Sequence, residues 1–142
     1  MENLELKEMV LNVLNDHRTG ILSTVENNKP HSRYMTFYND YLTLYSPTKR
    51  DTEKIGEIEK NQNVSVLLGY EEKGQTDSYV QISGKAILCD SPEVKSKYWN
   101  DSFSKWFDSP EDPNYLLIKI NPEIIRVLNL NGEAPQELIL EK

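Results

Sequence analysis

A chain of 142 residues with 37% hydrophobic and 27% charged residues has the size and make-up of one globular domain that can bury its own core. Its net charge of −7 argues against a nucleic-acid binder, because nothing would offset repulsion from a phosphate backbone, and equally against an anionic membrane surface. Cys89 is the only cysteine, and His17 and His31 are the only histidines, far apart in sequence, so neither an intrachain disulfide nor a zinc site is expected.

The opening MENLELKE is acidic and polar, unlike a secretory signal, and no apolar run approaches membrane-spanning length. A cytoplasmic protein is expected. The chain has no GxGxxG, no Walker-type glycine loop, no nucleophile elbow and no HExxH.

Leu6, Met9, Val10, Val13 and Leu14 recur at the spacing of one helical face, which predicts an amphipathic helix over most of residues 4–16. His17 follows near its C-terminal end, where a cation suits the helix dipole. Thr19–Val25 is β-rich, and Glu26-Asn27-Asn28-Lys29 supplies a turn. Residues 31–38 form a second strand, with Arg33, Met35 and Phe37 on one face and Ser32, Tyr34, Thr36 and Tyr38 on the other. Asn39-Asp40 reads as a hairpin link to a strand over Tyr41–Tyr45, ended by Pro47.

Thr48-Lys49-Arg50-Asp51 fits the Ser/Thr-x-x-acid pattern of a helix start, with Ile55 and Ile58 packing the helix inward. Ser46, Thr48, Lys49, Arg50, Thr52 and Lys54 thus gather hydroxyls and cations at a helix N-terminus, where free N–H groups also lie. Together with Arg33, such a set suits a phosphate. A short basic run is also what solvated surface looks like, and helix capping would use the same N–H groups.

Further strands are expected at Val64–Tyr70, Tyr79–Leu88, Tyr115–Ile120 and Ile124–Leu130. A polar turn at Glu71–Thr76 separates the first two, and Asn121-Pro122-Glu123 separates the last two. Gly84 inside its strand suggests a bulge or sharp bend. Ser91-Pro92-Glu93 opens a helix expected to reach about Phe107, carrying Tyr98, Trp99, Phe103 and Trp106. The tail from Asn131 holds Gly132 and Pro135 and then the short apolar run Leu138-Ile139-Leu140. About seven short, mostly antiparallel strands with flanking helices predict an α+β domain built on a barrel or sandwich.

At this level of detail the chain resembles a known family. Gly20-Ile-Leu-Ser-Thr-Val, Pro30-His-Ser-Arg-Tyr-Met-Thr, the Ser/Thr-rich turn to Lys54, Asn63-Val-Ser-Val-Leu-Leu and Val80-Gln-Ile-Ser-Gly-Lys-Ala carry the likeness. They resemble the pyridoxamine 5'-phosphate oxidase-like flavin split barrels. Lys97-Tyr-Trp-Asn through Asp112-Pro points to the general stress protein 26 branch, and the resemblance covers roughly residues 5–128.

The resemblance implies a split barrel of six or seven strands, a homodimer, and one FMN per site at the dimer interface. By position, Arg33 and Lys54 would hold the phosphate, with Thr52 and, as alternatives, Lys49 or Arg50 adding to it. Backbone at Tyr34, Met35 and Thr36 would border the isoalloxazine ring, and Tyr45 and Ser46 would line the next strand. Trp106 of the other subunit would wall the flavin.

The chain also departs from the family pattern. Tyr34 stands where many relatives have proline, and the turn after Tyr45 is longer, so Thr48, Lys49 and Arg50 are not assigned singly. Tyr79 replaces a glutamine usual in the oxidases. The tail NLNGEAPQELILEK lacks their tryptophan- and arginine-rich substrate segment, so pyridoxamine phosphate oxidation is not expected.

The expected function is therefore an FMN-dependent oxidoreductase with a nicotinamide donor and an unidentified small acceptor. No dedicated acid or base stands out, His31 reading more as a surface strand residue than a proton donor. The alternatives are a flavin-storing or stress-sensing protein without turnover, and a barrel for another ligand such as haem or a deazaflavin.

Overall fold

The computed structural model describes residues 2–72, 78–130 and 132–140. The first helix, α1 (Asn3–Asp16), buries Leu6, Val10 and Leu14, one residue per turn, with Met9 and Val13 half-buried beside them. Strands β1 (Thr19–Glu26) and β2 (Lys29–Thr36) pair from Thr19↔Thr36 to Glu26↔Lys29. Asn27 and Asn28 join them at φ 52° and 65°, the left-handed pair of a two-residue hairpin.

The next hairpin is set differently from the sequence expectation. Asn39 and Asp40 belong to β3 (Tyr38–Asp40), and the link to β4 (Thr43–Lys49) falls at Tyr41 and Leu42, with Tyr41 at φ 56°. Asn39 is held as a strut, its amide donating to Asn15 Oδ1 at 2.9 Å and to the Tyr41 carbonyl at 3.0 Å. Leu42 is pulled into the core. Pro47 does not end β4 either. Beyond Tyr45 this strand has β7 on one side only, and an open strand edge tolerates proline.

Helix α2 (Glu53–Lys60) leads to β5 (Asn63–Leu68) and β6 (Tyr79–Cys89). The aromatic segment forms two short pieces, α3 (Pro92–Lys97) and a 3₁₀ turn (Asp101–Lys105), rather than one helix to Phe107. Asn100 restarts the second piece by accepting from Ser102 N–H at 2.9 Å. The break lets Tyr98 stack on Tyr45 at 4.7 Å while Trp99 meets Tyr115 edge-on at 5.5 Å.

Strand β7 (Tyr115–Leu128) runs unbroken through Asn121-Pro122-Glu123, and β8 (Gln136–Ile139) pairs with its end. The expected interruption is absorbed as a bulge. Opposite Ser83 and Gly84 the register skips Glu123, whose carbonyl instead accepts from Leu140 N–H at 2.8 Å.

The eight strands form one antiparallel sheet, ordered β2-β1-β5-β6-β7-β4-β3 with β8 alongside β7. It curls until β4 approaches β2, where Ser46 Oγ donates to the Thr36 carbonyl at 2.7 Å in place of a ladder. The result is a split half-barrel with three helices among the described residues. Its main apolar core lies under α1 and α2, and an aromatic core of Tyr45, Phe103, Phe107, Tyr115 and Leu117 lies under the 3₁₀ turn.

Among the described residues no helix is long and apolar enough to cross a membrane, and no cluster of three or more His, Cys, Asp or Glu could hold a metal. The turn read at Glu71–Thr76 lies partly outside the described residues, and so does Asn131 at the head of the tail.

Candidate functional site

A cavity of about 570 Å³ opens beside the seam between β2 and β4. One end is polar, formed by Thr48 and Lys49 from β4 with Thr52 and Lys54 at the start of α2. The other end is mostly apolar: Tyr34, Met35 and Thr36 supply one wall from β2, and Phe103, Trp106 and Phe107 supply another. Eight of the twelve candidate residues therefore meet around one space: Tyr34, Met35, Thr36, Thr48, Lys49, Thr52, Lys54 and Trp106.

The polar end is short of partners. Thr48 lies in the strand instead of capping a helix, and its Oγ1 is buried without a hydrogen bond. Such an atom is costly unless something satisfies it. Thr52 occupies the N-cap position of α2, yet its hydroxyl donates back to the Lys49 carbonyl at 3.0 Å and makes no cap.

Lys54 Nζ donates to Thr52 Oγ1 at 3.3 Å and, among the described residues, no carboxylate lies within 4.0 Å of it. Burial first, and the neighbouring charge of Arg33 second, pull its pKa below the usual lysine value. A half-buried cation repelled by another cation is poised to accept an anion.

The other four candidates do not line the cavity. Tyr45 is buried in the aromatic core, and Ser46 is spent on Thr36. Arg50 turns away, donating to the Pro113 carbonyl and to Asp90 Oδ2, both at 2.8 Å. Arg33 sits behind the polar end, with Nη1 donating to Thr24 Oγ1 at 2.9 Å and Nη2 to Glu57 Oε1 at 3.3 Å.

Glu57 is the group the sequence reading missed. Its side chain is 2% exposed, and it accepts from Thr24 Oγ1 at 2.5 Å and pairs with His31 Nδ1 at 3.0 Å as well as with Arg33. The Thr24 hydrogen bond leads in holding its carboxyl below the usual range, against the opposing pull of burial. In EKIGEIEK it reads as one more solvated helix glutamate. The only hint was that Lys54 and Glu57, three residues apart, share a helix face with Ile58 next to them.

A second cavity of about 360 Å³ adjoins the first through Thr19 and Tyr34 and is lined further by Leu67, Gly69, Tyr70 and Tyr79. Tyr34, Tyr70 and Trp106, which border the two spaces, are 76%, 59% and 57% exposed. That is much aromatic surface to leave in water.

Comparison with known proteins agrees with the fold. The family described as pyridoxamine 5'-phosphate oxidase matches residues 6–129. General stress protein 26 of Bacillus subtilis (strain 168) is 46% identical over 140 residues, covering 99% of this chain and 100% of that protein. The crystal structure of general stress protein 26 from Bacillus anthracis str. Sterne superposes with a TM-score of 0.86 at 42% identity, covering 96% and 99% of the two chains. A haem-binding protein from Mycobacterium smegmatis shares the fold at a TM-score of 0.74 and 11% identity, with 98% of this chain matching 58% of that one. The chain belongs to the pyridoxamine 5'-phosphate oxidase-like split-barrel family, with general stress protein 26 among its near relatives.

Proposed function

We propose that the protein binds FMN in the larger cavity and works as a flavin-dependent oxidoreductase on a small molecule, with NADH or NADPH as donor. The observation that carries this is the polar end: a buried hydroxyl without a partner at Thr48, beside the half-buried Lys54, which has no carboxylate within 4.0 Å among the described residues. That donor set suits a phosphate. The apolar end suits a flat ring system, and the volume falls within the usual range for cofactor sites.

In this reading Lys54, Thr48, Thr52 and Lys49 hold the phosphate, and Arg33 adds charge from behind. Tyr34, Met35 and Thr36 border the ring, and Trp106 of the same chain, which lines this cavity, takes the wall position that the resemblance gave to the other subunit's Trp106. FMN supplies the electron-transfer chemistry when bound, while the protein binds it, orients it and sets its surroundings. The exposed trio Tyr34, Tyr70 and Trp106 is the surface through which a homodimer would close over the ring.

A second reading, flavin storage or sensing without turnover, is favoured by one feature. Among the described residues, those lining the larger cavity include no histidine, cysteine or carboxylate to move a proton. Haem suits the cavity less well, because both imidazoles are engaged elsewhere, His17 with Glu71 and His31 with Glu57. Anaerobic addition of NADPH to the FMN-loaded protein separates these readings. Bleaching of the flavin band supports an oxidoreductase, bound flavin that stays yellow supports storage or sensing, and a protein that ignores FMN calls for another ligand.

A further inference from the structure

The buried carboxylate of Glu57 has no place in a cofactor cavity it does not line, and a lone ion at that depth is costly unless paired. Its surroundings explain its presence. Arg33 uses both Nη1 protons, on the Leu22 carbonyl at 3.3 Å and Thr24 Oγ1 at 2.9 Å, and one Nη2 proton on Glu57 Oε1 at 3.3 Å. Those three bonds leave Nε–H and one Nη2–H of the guanidinium without a partner among the described residues, donors of the kind that bind an oxyanion.

Lys54 lies one turn before Glu57 on α2, on the same face, so the Arg33 held by Glu57 brings a second positive charge toward it; burial first and that charge second lower the Lys54 pKa. Nothing about two neighbouring cations keeps them together. A flexible arginine would swing toward solvent unless its far end were tied.

We propose that Glu57 is a positioning residue for the phosphate end of the site: it holds Arg33 behind Lys54 so that the guanidinium's charge and its remaining N–H donors support that lysine in binding an oxyanion. The proposal rests on the FMN reading above. Thr24 completes the anchor, bonding Glu57 and Arg33 at once. His31 on the outer side ties down the second carboxylate oxygen.

The test titrates FMN and riboflavin, which differ only by the phosphate, into the wild-type protein, Glu57→Ala, Glu57→Gln, Arg33→Ala and the Arg33→Ala/Glu57→Ala double variant. FMN affinity is expected to fall tenfold or more in Glu57→Ala and at least threefold in Glu57→Gln, which keeps the side-chain shape. Riboflavin affinity should stay within twofold of wild type. In the Arg33→Ala background, Glu57→Ala should cost nothing further, because its effect passes through Arg33.

Equal loss of both ligands would make Glu57 merely structural and overturn the proposal. Tighter FMN binding on losing Glu57 would also overturn it, since the carboxylate would then act only by repelling phosphate. Wild-type protein that binds neither ligand would remove the cofactor reading itself, and this proposal with it. Should Glu57→Ala not fold, the glutamine variant alone decides.

Discussion

Gly84 on β6 faces Pro122 on β7 across the skipped register, with no room for a side chain between them. A Cβ on Gly84 would run into the Asn121 carbonyl and come within 3.1 Å of Pro122 Cα. This close approach lets β7 pass through a proline and still serve β6 on one side and β4 and β8 on the other. Gly84→Ala should therefore destabilise the fold by about 2 kcal/mol or more, because the obstruction is backbone that cannot rotate away. Urea unfolding would measure it, and an unchanged midpoint would mean that the strands part easily there.

Lys54 is the half-buried cation of the cavity's polar end, and its removal touches no ion pair among the described residues. Lys54→Ala should weaken FMN binding roughly ten- to hundredfold, the worth of a charge-assisted hydrogen bond at about 1.5–3 kcal/mol. Riboflavin should bind almost as before. Unchanged FMN affinity by titration calorimetry would take the phosphate away from this lysine.

Trp106 ends the 3₁₀ turn and is 57% exposed, so its ring contributes little to the core of the single chain. Trp106→Ala should change unfolding free energy of the monomer by about 0.5 kcal/mol or less. It should brighten the fluorescence of bound flavin, since an indole beside the ring quenches it. A variant that loses only its dimeric state, with flavin emission unaltered, would make Trp106 an interface residue.

The pH dependence of stability should carry the mark of Glu57. Its carboxyl lies below the ordinary value in the folded protein, so the unfolded chain takes up its proton first as pH falls. The stability it contributes is therefore complete above the unfolded carboxylate range and is lost as pH drops through the folded value. Glu57→Gln should flatten this acid limb below about pH 4.5, leaving the neutral region less affected. A chevron or thermal series from pH 3 to 7 would test it, and superimposable acid limbs would contradict the assignment.

How much the chain reveals of itself depends on the range of the interaction. Leu6, Val10 and Leu14 announce α1, and Asn27-Asn28 announces the first hairpin, because both signals are local. The grouping of hydroxyls and cations before α2 was legible because they are neighbours in sequence, and Thr48, Lys49, Thr52 and Lys54 do line one cavity.

What escaped depends on contacts between distant segments. Pro122 reads as a break until Gly84 is set opposite it. Thr48 reads as a cap until β7 pairs with it as strand. Tyr98 and Trp99 read as helix until Tyr45 and Tyr115 draw them out of it. Glu57 has the most misleading local setting, since a glutamate among Glu53, Glu59 and Lys60 looks solvated and only β1 and β2 bury it.

The central claim is that the cavity between β2, β4 and the 3₁₀ turn holds FMN. Its most direct test is the visible absorption spectrum of concentrated protein, before and after incubation with FMN and removal of the excess by gel filtration. The account predicts a flavin spectrum that travels with the protein, at one flavin per chain, with FMN identified by mass after release. Protein that emerges colourless from both samples would contradict it.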